Sequence, residues 1–100
     1  MAPEEIIERQ VTFHVLPGRE TEFETFFQEQ YRPAMAKTAG FIKADLLRDA
    51  ENQNDLMMVL RFDSADSAAA WRASLEHEAL KPQLKSLYST SELKVYQVRA

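Results

Sequence analysis

The stretch "DLMMVLRFD", Asp55 to Asp63, decides how this chain is built. A strand with one face in water alternates apolar and polar side chains, because successive residues point to opposite sides of the sheet. Leu56 to Leu60 does not alternate; it is apolar at odd and even positions alike. Such a run asks for cover on both faces, which predicts a strand in the interior of a sheet. As the longest apolar run of the chain, it is also far short of the roughly 20 residues a membrane-spanning helix needs.

On the N-terminal side of this strand, "FIKADLLRDA" (41–50) mixes charge with apolar side chains and is joined to it by the turn-forming "ENQN" (51–54). The two predict an antiparallel hairpin with a connection of about four or five residues. Further upstream, "EIIERQVTFHVL" (5–16) sets Val11, Phe13 and Val15 against Thr12, His14 and Leu16, the period of a strand, and Pro17-Gly18 breaks it. Between these strands, "RETEFETFFQEQYRPAMAKTAG" (19–40) brings Phe23, Phe26, Phe27, Gln30, Tyr31 and Ala34 onto one helical face, with Glu22, Thr25, Gln28, Glu29 and Arg32 opposite. Pro33 lacks an N–H and crowds the preceding turn, so a kink or restarted turn is expected there, with Gly40 as the stop.

On the C-terminal side, Ser64 is a predicted N-cap and Asp66 favours the positive end of the helix dipole. A second helix is expected from about Ala65 through the Ala-rich segment to Glu78. Pro82 marks an expected restart, in a shorter piece to about Leu87, before "STSELKVYQVRA" (89–100) closes the chain as a strand. The order β-α-β-β-α-β, with right-handed crossovers, predicts an α+β, ferredoxin-like fold: a four-stranded antiparallel sheet with both helices on one face.

Two helices cover one face of such a sheet, yet the Leu56 to Leu60 strand carries apolar residues for both. Leaving several hundred Å² of apolar surface wet forfeits on the order of 10 kcal/mol at about 25 cal/mol per Å², comparable to the stability of a small domain. A homodimer packed through the open sheet face, with C2 symmetry, is the expected remedy.

The totals narrow the function. One hundred residues, 45% of them hydrophobic, suit one domain spanning 1–100 with one core. Twelve basic against sixteen acidic residues, with no Lys/Arg cluster, oppose phosphate-backbone binding, so no nucleic-acid partner is expected. The opening "MAPEEIIERQ" lacks the basic-then-apolar order of a signal peptide, and a cytoplasmic protein without a membrane partner is expected. Without cysteine there is no disulfide, thiol nucleophile or thiolate metal site. "EHE" (76–78) spreads its ligands around a helix and the two His are isolated, so no metal site is expected either. Two Gly outside any Gly-rich loop leave no phosphate cradle, and there is no G-x-S-x-G elbow.

Four segments taken together, "HVLPGRETEFETFF" (14–27), "AGFIKADLLRD" (39–49), "MMVLRFDSADSAAAW" (57–71) and "WRASLEHEAL" (71–80), resemble the antibiotic biosynthesis monooxygenase family of the dimeric α/β-barrel group. The similarity runs from about Ile6 to Val98. It implies a homodimer whose sheets form a barrel, with a pocket in each subunit between sheet and helices. Some members turn polycyclic phenols into quinones with no metal, flavin or haem; related members degrade haem or isomerise small metabolites. Trp71 matches the second-helix Trp of the quinone-forming and haem-degrading relatives. The haem-degrading relatives also place an Asn in the first strand and a His about three helical turns beyond the Trp; the corresponding positions here are Val11 and Lys81, which argues against haem degradation.

The residues themselves are read as follows. Trp71 shares a helical face with Ala68 and Leu75 and should point at the sheet, as a core anchor or as a pocket wall stacking on a flat aromatic ligand with its N–H on an oxygen. His77, about 600° further along an ideal helix, should fall on another face, where Glu76 and Glu78 would favour its cation. His14 should point to the dimer side. Arg61 is expected to pair with Asp45 or another sheet carboxylate. Trp71, His77 and His14 are thus the catalytic candidates, and Trp71, Phe13, Phe27, Tyr31 and Ala68 the candidates for binding a small aromatic substrate. The expected activity is cofactor-independent oxygenation of a flat phenolic molecule; a small-metabolite isomerase and a non-catalytic ligand-binding dimer are the alternatives.

Overall fold

The computed structural model of the protein describes residues 5–100, so residues 1–4, where the stretch read as lacking a leader pattern begins, lie outside the described residues. Strands β1 (Ile7–Val15), β2 (Phe41–Arg48), β3 (Asp55–Phe62) and β4 (Tyr88–Gln97) form one antiparallel sheet in the order β2-β3-β1-β4. With a helical segment after β1 and another after β3, this is the expected ferredoxin-like α+β arrangement. β3 lies between β2 and β1, as its unbroken apolar run demands. Leu56, Met58, Leu60 and Phe62 are buried beneath the helices, while Met57 and Val59 are half-buried on the other face.

That second face is laced with charge. Glu8 and Arg61 pair across β1 and β3 at 2.7 Å, Lys43 reaches Asp45 at 3.5 Å, and His14 Nδ1 lies 2.7 Å from Asp55 Oδ1. Arg61 therefore takes Glu8, not Asp45, as its partner. The β2–β3 connection runs from Asp49 to Asn54, longer than expected, because the Asp49 carboxylate accepts from the N–H groups of Glu51 and Asn52 and builds a wider turn.

The first helical segment consists of α1 (Glu20–Phe26), a π-helical turn (Phe27–Tyr31) and α2 (Arg32–Met35). Pro33 has no N–H to offer the Glu29 carbonyl and its ring crowds that carbonyl, so the backbone widens just before it, with Arg32 N–H donating to Phe27 O. The extra residue in the turn changes which side chains face inward. Phe23, Phe26, Phe27 and Tyr31 are buried as expected, but Gln30 faces solvent and Met35 takes the core position.

The second helical segment departs further from expectation. α3 (Ala65–Ala73) starts as predicted, with the Ser64 hydroxyl accepting from Ser67 N–H at 3.1 Å, but it stops at Ser74, whose backbone is extended. The Ser74 hydroxyl donates to the Trp71 carbonyl at 2.7 Å and accepts from His77 N–H at 3.1 Å, ending one helix and capping the next with the same oxygen. α4 (Leu75–Lys85) follows, and Pro82 sits inside it without ending it. The restart is thus at Ser74, not at Pro82. One consequence is that Leu75, expected beside Trp71, is 85% exposed. Among the described residues no helix is long and apolar enough to cross a membrane.

Candidate functional site

The break at Ser74 shapes the space between helices and sheet. Inward-facing residues of β1 and β3, Val11, Phe13, Met58 and Leu60, floor a cleft of about 190 Å³. Tyr31 from the π-turn, Trp71 from α3, His77 and Leu84 from α4, and Tyr88 and Ser91 from β4 wall it. Arg9, Arg72, Lys81 and Lys85 complete the lining, Arg72 and Lys85 being exposed at its rim. A second groove, lined by Glu24, Phe27, Arg32, Asp45 and Arg48, is larger, at about 440 Å³. Its charged groups are already matched: Arg48 to Glu24, Arg32 to the Ala44 carbonyl and the Phe27 ring, and Asp45 to Lys43.

The cleft is different because its polar atoms lack partners. Trp71 is 1% exposed, yet its indole Nε1 makes no hydrogen bond, and His77 Nδ1 is equally buried and unbonded. A buried donor or acceptor without a partner costs roughly 1–3 kcal/mol, so such a group marks strain, function or an absent ligand. These atoms belong to two of three rings in mutual edge contact. Trp71 and His77 have centroids 5.2 Å apart at 77°, Tyr31 and Trp71 5.4 Å apart at 87°, and Tyr31 and His77 6.2 Å apart at 64°.

The expectation that His77 falls on a different face from Trp71 assumed one continuous helix; the extended residue at Ser74 swings His77 back against the indole. Its surroundings also reverse the expected charge preference. Burial pushes the imidazole below its ordinary value; Glu78 and the nearby Arg72 backbone, the latter without reaching good bonding geometry, only partly oppose this, and the charges of Lys81 and Arg72 add to the fall. His77 is therefore neutral at pH 7 and able to accept a proton. Tyr31 is pushed up to about 12 by burial, so it stays a neutral phenol; the nearby indole N–H opposes this rise without reaching good bonding geometry.

Of the sequence candidates, Trp71, His77, Tyr31 and Phe13 line the cleft together. Phe27 and Ala68 do not border it: both are core residues, Phe27 packing beneath the π-turn and Ala68 on the inner face of α3. His14 lies on the far side of the sheet, bonded to Asp55 and 3.9 Å from Glu92, and has no access to the cleft. The four cations were missed. One of them left a trace in the sequence: Arg9 is the charged residue in the inward phase of β1, between Ile7 and Val11. Val11 and Lys81, matched to the Asn and His positions of haem-degrading relatives, both line the cleft.

A family model described as antibiotic biosynthesis monooxygenase matches residues 6–83. No curated protein matches the chain significantly. Among solved structures, the fold is shared with SnoaB, a cofactor-independent oxygenase from Streptomyces nogalater, at 24% identity and a TM-score of 0.84 over 96% of this chain and 95% of that one. It is also shared with a conserved protein from Methanosarcina mazei Go1, at 19% identity and a TM-score of 0.85 over 95% of this chain and 94% of that one.

Proposed function

Because this chain belongs to the antibiotic biosynthesis monooxygenase family, we propose that it oxygenates a flat phenolic molecule held in the cleft between Trp71 and the sheet. The observation that carries this reading is the Trp71–His77–Tyr31 ring cluster with its two unpartnered nitrogens. A phenolic substrate lying on the Phe13 and Val11 floor gives the indole N–H an oxygen to bond and gives neutral His77 a proton to accept. The phenolate so formed sits in a largely apolar space, where its charge is poorly solvated and its electrons are more readily given to O₂. One oxygen atom then enters the ring carbon, the other leaves as water, and the phenol becomes a quinone. The substrate supplies all the electrons, so this route calls for no added reductant or cofactor. Tyr31, held neutral, shapes the wall and is not the base.

The same reading includes a homodimer formed through the sheet face opposite the helices, where Leu47, Met57 and Val59 lie among the ion pairs. Sedimentation at micromolar concentration tests it, and a monomer there rejects the sheet-to-sheet dimer. The activity is tested by O₂ consumption in metal-free protein with naphthols, using ¹⁸O₂ to follow the oxygen into the product. Uptake with one labelled atom per quinone is expected. Ligand binding without O₂ uptake would leave a binding protein, and solvent-proton exchange into a bound metabolite without uptake would leave an isomerase.

A further inference from the structure

The arginines of this chain divide into two groups. Arg19 pairs with Glu22, Arg48 with Glu24, Arg61 with Glu8 and Arg99 with Glu5, while Arg32 donates to the Ala44 carbonyl and lies over the Phe27 ring. Arg9 and Arg72 have neither an acidic partner nor a hydrogen-bond acceptor among the described residues, and both line the cleft. Lys85 lines it without a partner as well, and Lys81 has only Glu78, at 4.0 Å. Among the described residues no Asp or Glu lines the cleft, although acidic residues outnumber basic ones in the chain as a whole.

Arg9 is the most telling of these side chains. It stands on the helix-covered face of β1, opposite Leu60 and Val95, and is half-buried. Burial lowers its pKa and the charge of Arg72, on the lining of the same cleft, lowers it further, with Tyr31 opposing the fall. Like charges lining one cleft over an apolar floor raise the energy of the empty protein, and an anion bound there removes that penalty. A planar guanidinium offers a fork of donors matched to a carboxylate.

We propose, resting on the phenol-oxygenating reading above, that the substrate is an aromatic carboxylate, its carboxylate held by Arg9 and Arg72 at one end of the cleft and its ring placed against Trp71. A volume of about 190 Å³ is below the roughly 300 Å³ at which drug-sized pockets begin, and suits a ligand of one or two rings. The bound carboxylate fixes which ring carbon faces His77 and orients the ring before chemistry begins.

Calorimetric titration of the full chain with 1-naphthoate and with its neutral counterpart 1-naphthol tests this. Naphthoate is expected to bind at least about tenfold more tightly, in the range of a charge-assisted hydrogen bond. Arg9→Gln and Arg72→Gln should each remove about tenfold or more of the naphthoate affinity and leave naphthol unchanged. Arg9→Lys should lose less than Arg9→Gln. Arg72 is exposed on α3, so its variant stays informative even if the Arg9 variants fold poorly. Lys94→Gln, on the opposite face of β4, should change nothing. Equal affinity for the two ligands, or naphthoate affinity unmoved by Arg72→Gln, overturns the proposal; so does inorganic phosphate displacing naphthoate at equal concentration, which would make the seat a general oxyanion site. O₂ uptake with 1-hydroxy-2-naphthoate and with 1-naphthol separates this proposal from the reading beneath it. Arginine-dependent binding without uptake sinks the oxygenase and keeps the carboxylate seat, whereas equal uptake with both compounds keeps the oxygenase and sinks the seat.

Discussion

On the face of the sheet turned away from the helices, three close pairs join opposite charges within the chain: Glu8 meets Arg61, Lys43 meets Asp45, and His14 meets Asp55. On the face beneath the helices the reverse holds. Among the described residues, Arg9 and Arg72 have no counterion, and the Trp71 indole N–H and His77 Nδ1 have no hydrogen-bond partner. Matched polarity is what a sheet needs in order to fold. Unmatched polarity in a half-buried, aromatic-walled space destabilises the empty protein and is relieved only when something binds. One strand serves both ends: Arg9, Val11 and Phe13 of β1 line the cleft, while Glu8 and His14 join the ion pairs.

The contrast predicts that substitutions under the helices act strongly and those on the open face weakly. Trp71 joins core and cleft, so its truncation has the largest expected effect. Trp71→Ala should cost about 3–5 kcal/mol of stability, as large-to-small changes at aromatic core sites do, and should abolish turnover. Trp71→Phe separates the roles: thermal unfolding should move far less, while O₂ uptake still falls because the N–H is gone. If Trp71→Phe retains full activity, the indole does not bond the substrate.

His77→Gln comes next. Loss of a general base lowers a rate by about a hundredfold or more, and the expected fall in O₂ uptake is of that order, with little loss of stability at pH 7. The pH dependence gives an independent check. Because burial lowers the folded pKa of His77, the unfolded chain binds the extra proton first. Stability tied to neutral His77 is thus complete above the ordinary value of about 6.5 and is lost as pH falls from there through the lowered folded value. Denaturant midpoints followed across this range should slope for the parent protein and flatten for His77→Gln.

Ser74→Ala has a smaller effect on stability and a revealing one on activity. Losing an N-cap hydroxyl costs about 1 kcal/mol. The same hydroxyl ends α3 at the Trp71 carbonyl and holds the His77 N–H, so its removal lets His77 drift from the indole. A drop in O₂ uptake larger than the stability loss accounts for is expected; unchanged uptake would mean that the two rings are positioned without it.

Ser74 also shows where the sequence stopped being legible. The β3 run and the β1 alternation are local patterns whose period forces a strand, and the order of elements followed from them. The site depended on one local competition. Ala65 to Glu78 has the composition of a continuous helix, and nothing in propensity alone says that Ser74 will bond backward to Trp71 and forward to His77. Extrapolating 100° per residue through that point put His77 on the wrong face and Leu75 on the right one. Pro33 was read as a disturbance, but not that it would be met by a π-turn that exchanges Gln30 for Met35 in the core. Arg9 was legible in principle, as a cation in the inward phase of an apolar strand; Arg72, Lys81 and Lys85 were not, because they converge only once the break at Ser74 aligns α3 and α4.

The weakest effect belongs to the open face. The Arg61 guanidinium beside Glu8, helped by Gln10, holds the Glu8 carboxyl below its usual range. Glu8 therefore contributes stability that is present above the ordinary carboxylate value and is lost as pH falls through the lowered folded one. A pair this accessible to water is worth less than about 1 kcal/mol, so Glu8→Gln should shift the unfolding midpoint only slightly at pH 7. As pH falls below about 4.3 the parent and the variant should draw together, and they should coincide once the folded carboxyl is itself protonated, since protonation then does to Glu8 what the substitution does. Arg9→Gln carries the opposite sign: a cation without a counterion destabilises the unliganded protein, and its removal should leave stability unchanged or raise it while ligand affinity falls. If Glu8→Gln instead costs several kcal/mol and the cost varies with protein concentration, the open face is buried against a second copy, and the contrast between the faces becomes one between an interface and a site.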